Sequence, residues 1–260
     1  MKIATWNVNS IRTRLKHVVD WLSQNHVDIL CMQETKVVDD DFPRTSFEEL
    51  GYHLYVSGQK AYNGVAIASR EPLEDVTSGF TGILSNLLPE LDEQKRVITG
   101  IIDNIRIVNL YVPNGSSIGS DKYEYKLRWL AVLKEYLEKL LVSSPSICIC
   151  GDFNIALESK DIHDGVNTEN HIMASESERQ ALQNVLSLGF ADAFRKFTTD
   201  GGNYSWWDYR AASFRRNLGW RIDHHYLTPD LYERAKHCTI DIAPRKLPQP
   251  SDHAPVILEF

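Results

Sequence analysis

Short apolar segments alternate with turn-forming residues along the whole chain. Each segment is rich in β-branched residues and is bounded by turns, a pattern typical of β-strands. The pattern predicts about ten strands. They are Lys2–Asn7, Val27–Glu34, Tyr52–Ser57, Gly64–Ser69, Arg96–Ile102, Ile105–Val112, Ser146–Gly151, Asn203–Tyr209, Arg221–Thr228 and Ala254–Phe260. Between Ile102 and Ile105, the pair Asp103-Asn104 predicts a tight hairpin and therefore antiparallel pairing.

Three other stretches carry apolar residues at helical spacing. The apolar face of the first consists of Leu15, Val18, Val19 and Leu22. The second is predicted to begin with the capping box Asp121-x-x-Glu124. Its apolar side consists of Tyr123, Leu127, Leu130, Leu133, Leu137 and Leu141.

The third helix is predicted to begin with the capping box Ser175-x-x-Glu178 and to end at Gly189. Its predicted buried residues are Leu182, Val185 and Leu186. Many strands with few helices predict an α/β fold, in which two mostly antiparallel sheets pack face to face with helices outside. Because no Pro-, Gly- or Ser-rich linker divides the sequence, residues 1–260 are expected to form a single catalytic domain.

Polar residues collect at the ends of several predicted strands. These clusters are Asn7-Val8-Asn9, Gln33-Glu34-Thr35, Gly151-Asp152-Phe153-Asn154, Asp223-His224-His225 and Ser251-Asp252-His253. Taken singly, an Asp or Asn after a strand is usually a turn device that bonds its own backbone. Their recurrence favours one convergent site, because a carboxylate beside a sheet core has to be paired, hydrogen-bonded or metal-bound.

These residue types indicate a hard metal ion. Oxygen ligands without Cys–His pairing favour Mg²⁺ or Mn²⁺ over zinc. Carboxylates, a His and a divalent metal suit the attack of water on a phosphoester, with a carboxylate accepting the proton of the water. The sequence has no Walker loop, Rossmann fingerprint or Gly-x-Ser-x-Gly elbow, so NTPase, dehydrogenase and serine-hydrolase functions lack support.

The charge of the chain bears on how it could bind nucleic acid. The chain is 43% hydrophobic and carries a formal net charge of −7. Such a balance disfavours a protein that coats DNA more than it disfavours a metal nuclease, which needs carboxylates at its site and local basic patches around it. Any contact with nucleic acid is therefore expected through local patches.

Location is predicted from what the sequence lacks. No apolar run approaches the roughly 20 residues of a membrane helix, and no signal-peptide core follows Met1, so no membrane contact is expected. The four cysteines form no Cys-x-x-Cys pair and no disulfide framework. They are Cys31, Cys148, Cys150 and Cys238. A monomer in a reduced cytoplasm, active at the nucleoid, is the expectation.

Six motifs occur in one order from residue 1 to residue 260. They are Trp6-Asn7-Val8-Asn9, Gln33-Glu34-Thr35-Lys36, Tyr111-Val112-Pro113-Asn114-Gly115, Gly151-Asp152-Phe153-Asn154, Trp220-Arg221-Ile222-Asp223 and Ser251-Asp252-His253. Together they resemble the exonuclease III family of apurinic/apyrimidinic endonucleases, in the endonuclease/exonuclease/phosphatase superfamily. The resemblance implies a four-layered α/β sandwich and a Mg²⁺-dependent DNA repair nuclease.

The resemblance also implies roles for single residues. Glu34 is expected to bind the metal directly, with Asn7 and Asp252 as nearby or alternative ligands. Asp152 is expected to orient or deprotonate the attacking water, and Asn154 to hold Asp152 and the phosphate.

Two further roles concern the phosphate. Tyr111 is expected to bind it or to help the leaving oxygen, although from sequence alone a β-strand aromatic is the simpler interpretation. His253, oriented by Asp223, is expected to donate a hydrogen bond or a proton to it. This pairing is sound chemistry in itself, because a carboxylate on one imidazole nitrogen fixes the tautomer and raises the basicity of the ring.

The DNA contact is predicted in an aromatic and arginine-rich segment. Arginines supply phosphate contacts, and aromatics can enclose a sugar or fill a gap in the base stack. The residues predicted for the DNA and the abasic pocket are Asn114, Trp206, Arg210, Arg215, Arg216, Trp220 and Ile222. The alternative for the aromatics, and for Trp207 in particular, is that they form a buried strand. A second phosphate patch, or equally a solvated helix face, is Arg12, Arg14 and Lys16.

The sequence departs from the family pattern at two places. Asn9 stands where some relatives carry Asp, so a carboxylate near the metal is missing. His224 and His225 stand where apolar residues are common, and we expect them to be a strand-edge feature rather than further ligands.

The interpretation as a whole is hydrolysis of the phosphodiester 5′ to an abasic site, leaving a 3′-hydroxyl, in double-stranded DNA. Trimming of 3′ ends and 3′→5′ exonuclease activity belong to the same family. One alternative is a phosphatase of the same fold that acts on inositol phosphates or phospholipid head groups. The other is a DNA-binding module without catalysis.

Overall fold

The computed structural model describes residues 1–84, 90–168 and 171–260. Its strands are β1 (Lys2–Asn7), β2 (Ile29–Gln33), β3 (His53–Ser57), β4 (Val65–Ser69), β5 (Glu74–Ser78), β6 (Val97–Ile102), β7 (Ile105–Tyr111), β8 (Ile147–Asp152), β9 (Ala191–Asp192), β10 (Asp223–Leu227), β11 (His237–Ile240) and β12 (Val256–Glu259). Its α-helices are α1 (Ile11–Asn25), α2 (Thr45–Glu48), α3 (Glu90–Glu93), α4 (Asp121–Ser143), α5 (Glu176–Leu186), α6 (Ala193–Phe197) and α7 (Pro229–Arg234).

The strands of the described ranges form two six-stranded sheets. Their orders are β11-β12-β1-β2-β4-β3 and β5-β6-β7-β8-β10-β9. The central pairs β1–β2 and β7–β8 are parallel, and the other neighbours are antiparallel. Helix α1 connects the first parallel pair and α4 the second, as the crossover between parallel strands requires. The prediction of two mostly antiparallel sheets is confirmed.

Apolar side chains fill the space between successive layers. The inner faces of the two sheets pack against each other through residues such as Cys31 and Cys148. Helices α4 and α5 cover the outer face of the second sheet through Leu133 and neighbouring residues. Helix α1 covers the first sheet through Val18 and Leu22. The order helix, sheet, sheet, helix confirms the four-layered α/β sandwich.

A polar contact inside this core ties the two sheets together. Gln33, the last residue of β2, donates from Nε2 to Oδ1 of Asn109 in β7 over 2.7 Å. Asn109 in turn donates to the main-chain oxygens of Met32 and Ala66. Because buried amides are hydrogen-bonded at specific angles, this contact fixes how β2 and β7 sit against each other. The residue that follows Gln33 is Glu34, so the contact also sets the position of that carboxylate.

Local turn chemistry explains most element boundaries. Asp103 and Asn104 both have positive φ, at 49° and 62°, and close the predicted β6–β7 hairpin. The capping box Ser175-x-x-Glu178 of α5 is confirmed, and α5 ends at Leu186, three residues before Gly189. Leu186 is only half-buried.

The predicted start of α4 is wrong by one residue. Ser120 is the N-cap, and its hydroxyl accepts a hydrogen bond from the main-chain N–H of Tyr123. Asp121 is therefore the first helical residue. With Glu124 it adds negative charge to the first turn, where the helix dipole favours it.

The predicted strand Asn203–Tyr209 is also wrong. Within it, Trp206 makes isolated bridges to Trp220 and His253. The two neighbouring indoles are held by side-chain contacts instead of a ladder: Trp206 donates to Asp252, and Trp207 packs edge-on against Phe214. An aromatic run has strand propensity, but here the backbone hydrogen bonds, to Trp220, Asp252 and Ala254, are too scattered to form a continuous ladder.

His224 and His225 are not a strand-edge feature. They lie in β10, which has β8 on one side and β9 on the other, and both are fully buried. The ring of His224 pairs with Arg221 at Nδ1 and with the carbonyl of Ile155 at Nε2. His225 pairs with the carbonyl of Val256. These partners make both imidazoles acceptable in the core, which the sequence alone did not indicate.

The four cysteines are free and buried, so none of them forms a disulfide bond. Among the described residues, no helix combines the length and the apolar character needed to cross a membrane.

Candidate active site

The predicted strand-end clusters meet at one edge of the two sheets. In the second sheet, Asp152 is paired in register with Tyr111 on one side and with Asp223 on the other. In the first sheet, Asn7 is paired with Gln33, the residue before Glu34. Neighbouring strands lie about 5 Å apart, so these registers alone bring the polar side chains together.

Asp152 accepts hydrogen bonds on both carboxylate oxygens. Its Oδ1 accepts from the main-chain N–H of Asn154 at 2.9 Å. Its Oδ2 accepts from Nδ2 of Asn7 at 2.9 Å and from Nδ2 of Asn154 at 3.3 Å. Burial raises the pKa of Asp152, although the nearby His253 opposes the shift. A buried carboxylate whose pKa is raised toward neutrality is suited to accept a proton.

The backbone at Gly151 allows β8 to approach β7 this closely. Gly151 has a φ of +146°, and a Cβ built on it would lie 1.9 Å from the carbonyl oxygen of Leu110. Any other residue would push β8 away from β7 and displace Asp152.

Glu34 faces Asp152 from the other sheet and shares Asn7 with it. Nδ2 of Asn7 donates to Oε1 of Glu34 at 2.9 Å, as it does to Asp152. Lys36 lies 2.8 Å from Oε2 of Glu34. Burial raises the pKa of Glu34, but Lys36 and Asn7 outweigh burial and hold it below its ordinary value. Glu34 is therefore an ionised carboxylate at neutral pH.

His253 stands between two carboxylates. Its Nδ1 lies 2.9 Å from Oδ2 of Asp223, and its Nε2 lies 3.7 Å from Oδ2 of Asp152. Ser205 donates to Oδ2 of Asp223 at 2.6 Å and so holds that carboxylate in place. Burial alone lowers the pKa of His253, but the two carboxylates outweigh burial and raise it above its ordinary value.

Tyr111 closes the site beside Glu34. Burial, followed by the charge of Glu34, raises the pKa of Tyr111 well above its ordinary value, so its hydroxyl stays protonated and can donate. The guanidinium of Arg96 stacks over the ring at 4.6 Å and donates to the Tyr111 carbonyl.

Asn114 and Asn154 extend this network toward solvent. Nδ2 of Asn114 donates to Oδ1 of Asn154 at 3.0 Å. Nδ2 of Asn154 also donates to the Val112 carbonyl, and its backbone is left-handed, with φ of 49°. Such a backbone in a non-glycine residue is typical of a functional site where several contacts hold it.

Asp252 lies beside the pair of carboxylates formed by Glu34 and Asp152 and is not part of that pair. Its Oδ1 accepts from Asn9 at 2.9 Å, and its Oδ2 accepts from the indole N–H of Trp206 at 2.9 Å. Asn9 takes a second contact from Lys36, whose Nζ lies 2.6 Å from Oδ1. Asn9, which stands where some relatives carry Asp, thus bridges Asp252 to Lys36.

Within the described residues, the groups positioned to share a cation are Glu34, Asp152 and His253, whose ligand atoms all lie within 4.8 Å of one another. The two carboxylates supply oxygen ligands, which fit Mg²⁺ or Mn²⁺ and fit zinc poorly. Asn7, predicted as a ligand, directs Nδ2 at both carboxylates, and its Oδ1 accepts from the main-chain N–H of Asn9. Asp252, predicted as a ligand, is outside this group, whereas Asp152 and His253, predicted as catalytic residues, are inside it.

A cavity of about 550 Å³ opens over these residues. Of the predicted DNA residues, Asn114, Trp206, Arg210 and Trp220 line it. Ile222 lies below the wall, 1% exposed and packed with Trp220. Arg215 and Arg216 are exposed and do not line this cavity.

The wall of the cavity contains residues that the motifs did not indicate. The ring of His171 packs against Trp220 with centroids 4.7 Å apart, and His163 and Met173 also line the cavity. Lys36 and Ser205 are further residues whose contacts with Glu34 and Asp223 could not be predicted. Lys36 belongs to the motif Gln33-Glu34-Thr35-Lys36, so the sequence indicated that it lies near the site, but it did not indicate which residue Lys36 contacts.

Comparison with known proteins agrees with this geometry. The chain matches the Endonuclease/Exonuclease/phosphatase family over residues 4–253. It is 33% identical over 263 residues to an exodeoxyribonuclease of Bacillus subtilis, covering 99% of this chain and 98% of the relative. It is 33% identical over 274 residues to exodeoxyribonuclease III of Haemophilus influenzae, covering 100% of both.

Solved structures agree as well. An AP endonuclease from Archaeoglobus fulgidus is 45% identical with a TM-score of 0.93, covering 100% of this chain and 99% of that one. A 3′ phosphatase from Neisseria, bound to product DNA hairpin, is 41% identical with a TM-score of 0.95, at the same coverage. The resemblance found in the motifs is thus confirmed over the whole chain, which belongs to the endonuclease/exonuclease/phosphatase family.

Proposed function

We propose that this protein is a DNA repair nuclease that uses Mg²⁺ to hydrolyse the phosphodiester 5′ to an abasic site and to trim 3′ ends. The observation that carries the proposal is the facing pair of carboxylates, Glu34 and Asp152, with His253 beside them at the base of a cavity. Mn²⁺ suits the same ligands.

Each residue of the site has a chemical part in this reaction. A metal held by Glu34 would neutralise charge on the phosphate oxygens. Asp152, fixed by Asn7 and Asn154, orients the water and accepts its proton. The protonated His253 and the hydroxyl of Tyr111 donate hydrogen bonds to the phosphate or to the leaving oxygen.

The substrate class is supported by the relatives and by the cavity. The relatives are named for exodeoxyribonuclease, AP endonuclease and 3′ phosphatase activity. Each activity acts on a phosphate beside a sugar that lacks either its base, at an abasic site, or the next nucleotide, at a 3′ end. Such a nucleotide is cheap to take out of the duplex. Trp206 and Trp220 line the cavity where this sugar would enter.

The two alternatives have less support. An inositol or lipid phosphatase would need cationic groups around several phosphates, but the cavity lining contains Arg210 as its only Arg or Lys among the described residues. Arg210 is itself paired with Asp208. A module without catalysis would not explain a buried, hydrogen-bonded Asp152 beside His253.

A single assay tests the proposal. The protein with Mg²⁺ is given an abasic duplex, a duplex with a recessed 3′ end, a 3′-phosphate terminus and an inositol polyphosphate. We expect turnover of the DNA substrates and none of the inositol compound. The reverse result would contradict the proposal, and the ratio among the DNA substrates ranks the activities.

The monomeric state, the single domain and the cytoplasmic location stay predictions.

The pair Asp223–His253 leads to a prediction about pH. In Asp223→Asn the carboxylate that most strongly raises the pKa of His253 is lost, so this pKa should fall. Activity that needs protonated His253 is lost as pH rises through this pKa. The alkaline limb of the pH–rate profile should therefore move to lower pH, by at least about one unit. An unchanged limb would remove charged His253 from the mechanism. The NMR titration of the His253 ring checks the shift directly.

Trp220→Ala is expected to affect both stability and substrate choice. The indole is 3% exposed and packs with Ile162, Met173 and Ile222, so its loss should cost about 3 to 5 kcal/mol of unfolding free energy. Among molecules that remain folded, incision of abasic DNA should fall more than binding to the intact duplex. Denaturant unfolding measures the first effect and single-turnover incision the second. An equal loss of incision and binding would indicate a structural role alone.

A further inference from the structure

Helices α4 and α5 contribute a buried ion pair that the proposed chemistry does not use. Lys126 of α4 and Glu178 of α5 are both 0% exposed, and Nζ lies 2.5 Å from Oε1. Neither residue lines the cavity over the catalytic groups. Burial lowers the pKa of Lys126, and Glu178 opposes that shift.

The ammonium group of Lys126 also reaches two loops of the active site. It donates to the main-chain oxygen of Asn154 at 2.8 Å and to that of Asn114 at 3.2 Å. An ammonium group has three donors, so Glu178, Asn154 and Asn114 account for all of them. Lys126 thus joins the main-chain carbonyls of Asn114 and Asn154, two residues that line the substrate cavity.

Glu178 holds a third segment on the other side of the pair. Its Oε1 accepts from the main-chain N–H of Met173 at 3.0 Å, and its Oε2 accepts from the N–H of Ser175 at 3.1 Å. Met173 lines the cavity. One ion pair therefore connects the loop after β7, the loop after β8 and the cavity wall before α5.

Among the described residues, Lys126 is the only donor to the main-chain oxygens of Asn114 and Asn154. Neighbouring backbone groups have other partners, since the N–H of Phe153 donates to Ile222 and that of Ala156 to Met173. Asn114 and Asn154 lie outside strands and helices, and Gly115 and Asn154 have positive φ. A Cβ on Gly115 would lie 3.2 Å from Cδ of Lys126, so the loop also packs on the lysine stem. A buried carbonyl without a donor is costly, and Lys126 supplies this donor to both loops.

The position of Asp152 depends on these loops. The main-chain N–H and Nδ2 of Asn154 both donate to the carboxylate of Asp152, and Asn114 donates to Asn154. A displacement of about 1 Å in a positioned catalytic group can reduce the rate by about a hundredfold. A movement of the Asn154 backbone would therefore be transmitted directly to Asp152.

Stability alone is a weak reason for such a pair, since replacing a buried ion pair by neutral groups of similar volume is often neutral or stabilising. We propose that Lys126 is a positioning residue for the reaction: through the carbonyls of Asn114 and Asn154 it holds Asp152 at its working angle, while Glu178 neutralises its charge and fixes the cavity wall. The inference rests on the proposed function for its effect on the rate.

The test uses the double variant Lys126→Met/Glu178→Gln. Both charges are removed together, so neither is left buried and unpaired. The Gln side chain keeps one acceptor, for the N–H of Ser175 in the capping box, while its amide nitrogen replaces the oxygen that accepts from the N–H of Met173. The matched control is Lys134→Met/Glu138→Gln, the same substitutions in a half-exposed pair of α4. The single variant Lys126→Met is expected to lower Tm, because it leaves Glu178 without its partner.

The double variant should lower Tm less than Lys126→Met alone does, because it leaves no unpaired charge, although the carbonyls of Asn114 and Asn154 lose their donor. Its kcat on its best DNA substrate should fall about tenfold to a hundredfold with KM little changed. The control should change neither Tm nor kcat. If kcat of the double variant equals that of the wild type, the pair has no positioning role, whatever the Tm.

Amide hydrogen exchange provides a readout that does not depend on DNA cleavage. In the double variant, exchange should accelerate in residues 114–116 and 154–155. Pro113 has no amide hydrogen, and the N–H groups of Phe153 and Ala156 have partners that the variant keeps. Residues 3–6 of β1, in the other sheet, serve as an internal reference, because neither substitution contacts them. Residues 173–175 cannot serve, because one of the two oxygens that accept from Met173 and Ser175 becomes an amide nitrogen. Unchanged exchange in the two loops would overturn the inference. If the wild type cleaves no DNA, the proposed function fails, and the exchange result still decides whether Lys126 holds the loops.

Discussion

Asp152→Asn is expected to reduce DNA cleavage by roughly a thousandfold or more, because the group that accepts the proton of water is lost. The structure adds a second reason. Both oxygens of Asp152 accept hydrogen bonds from Asn7 and Asn154, and an amide nitrogen in either position would face a donor. Binding to DNA should change little, because the cavity keeps its shape.

Single-turnover incision and binding to a non-cleavable duplex measure the two effects separately. Asp103→Asn is the matched control, because Asp103 is exposed in the β6–β7 turn, where its positive φ suits Asn equally well. That turn lies at the opposite end of β7 from Tyr111. Normal turnover by Asp152→Asn would remove this carboxylate from the mechanism.

Removal of divalent metal is expected to abolish activity, with recovery on addition of Mg²⁺ or Mn²⁺. Glu34 and Asp152 face each other with Asn7 between them, and without a cation this concentration of negative charge would repel a phosphate. Activity that persists in excess chelator would contradict the metal proposal.

The same proposal predicts how Glu34→Gln behaves. This variant should need at least about tenfold more Mg²⁺ for half-maximal rate, since a charged ligand becomes neutral. Calorimetric titration with Mg²⁺ checks the affinity without any DNA present. Glu49→Gln, on the exposed surface after α2, is the control and should leave both measurements unchanged.

Much of the fold was predictable because its determinants are local. The β6–β7 hairpin follows from Asp103-Asn104, and the start of α5 follows from Ser175-x-x-Glu178. Strands β5, β9 and β11 were missed because they are short and mostly exposed or half-buried, so they carry no apolar run. The first helical residue of α4 was misplaced because Ser120 and Asp121 are both good caps, and only the backbone distinguishes them.

The candidate site was predictable for a different reason. In strands that run toward the same edge, the residues at the strand ends must come together, whatever the details of packing. Asn7, Glu34 and Asp152 are such residues, and the structure brings them within hydrogen-bonding distance through one amide. Arg215 and Arg216 are exposed and do not line the cavity, so their contact with DNA stays a prediction.

The sequence by itself determined which chemical groups this protein can present and at which strand ends, because side-chain identity and strand periodicity are properties of neighbouring residues. Only the tertiary structure decided which partners those groups have. Lys126 and Glu178 are 52 residues apart, and His253 and Asp223 are 30 apart. Contacts over such distances depend on how the layers pack, and no local pattern records that packing.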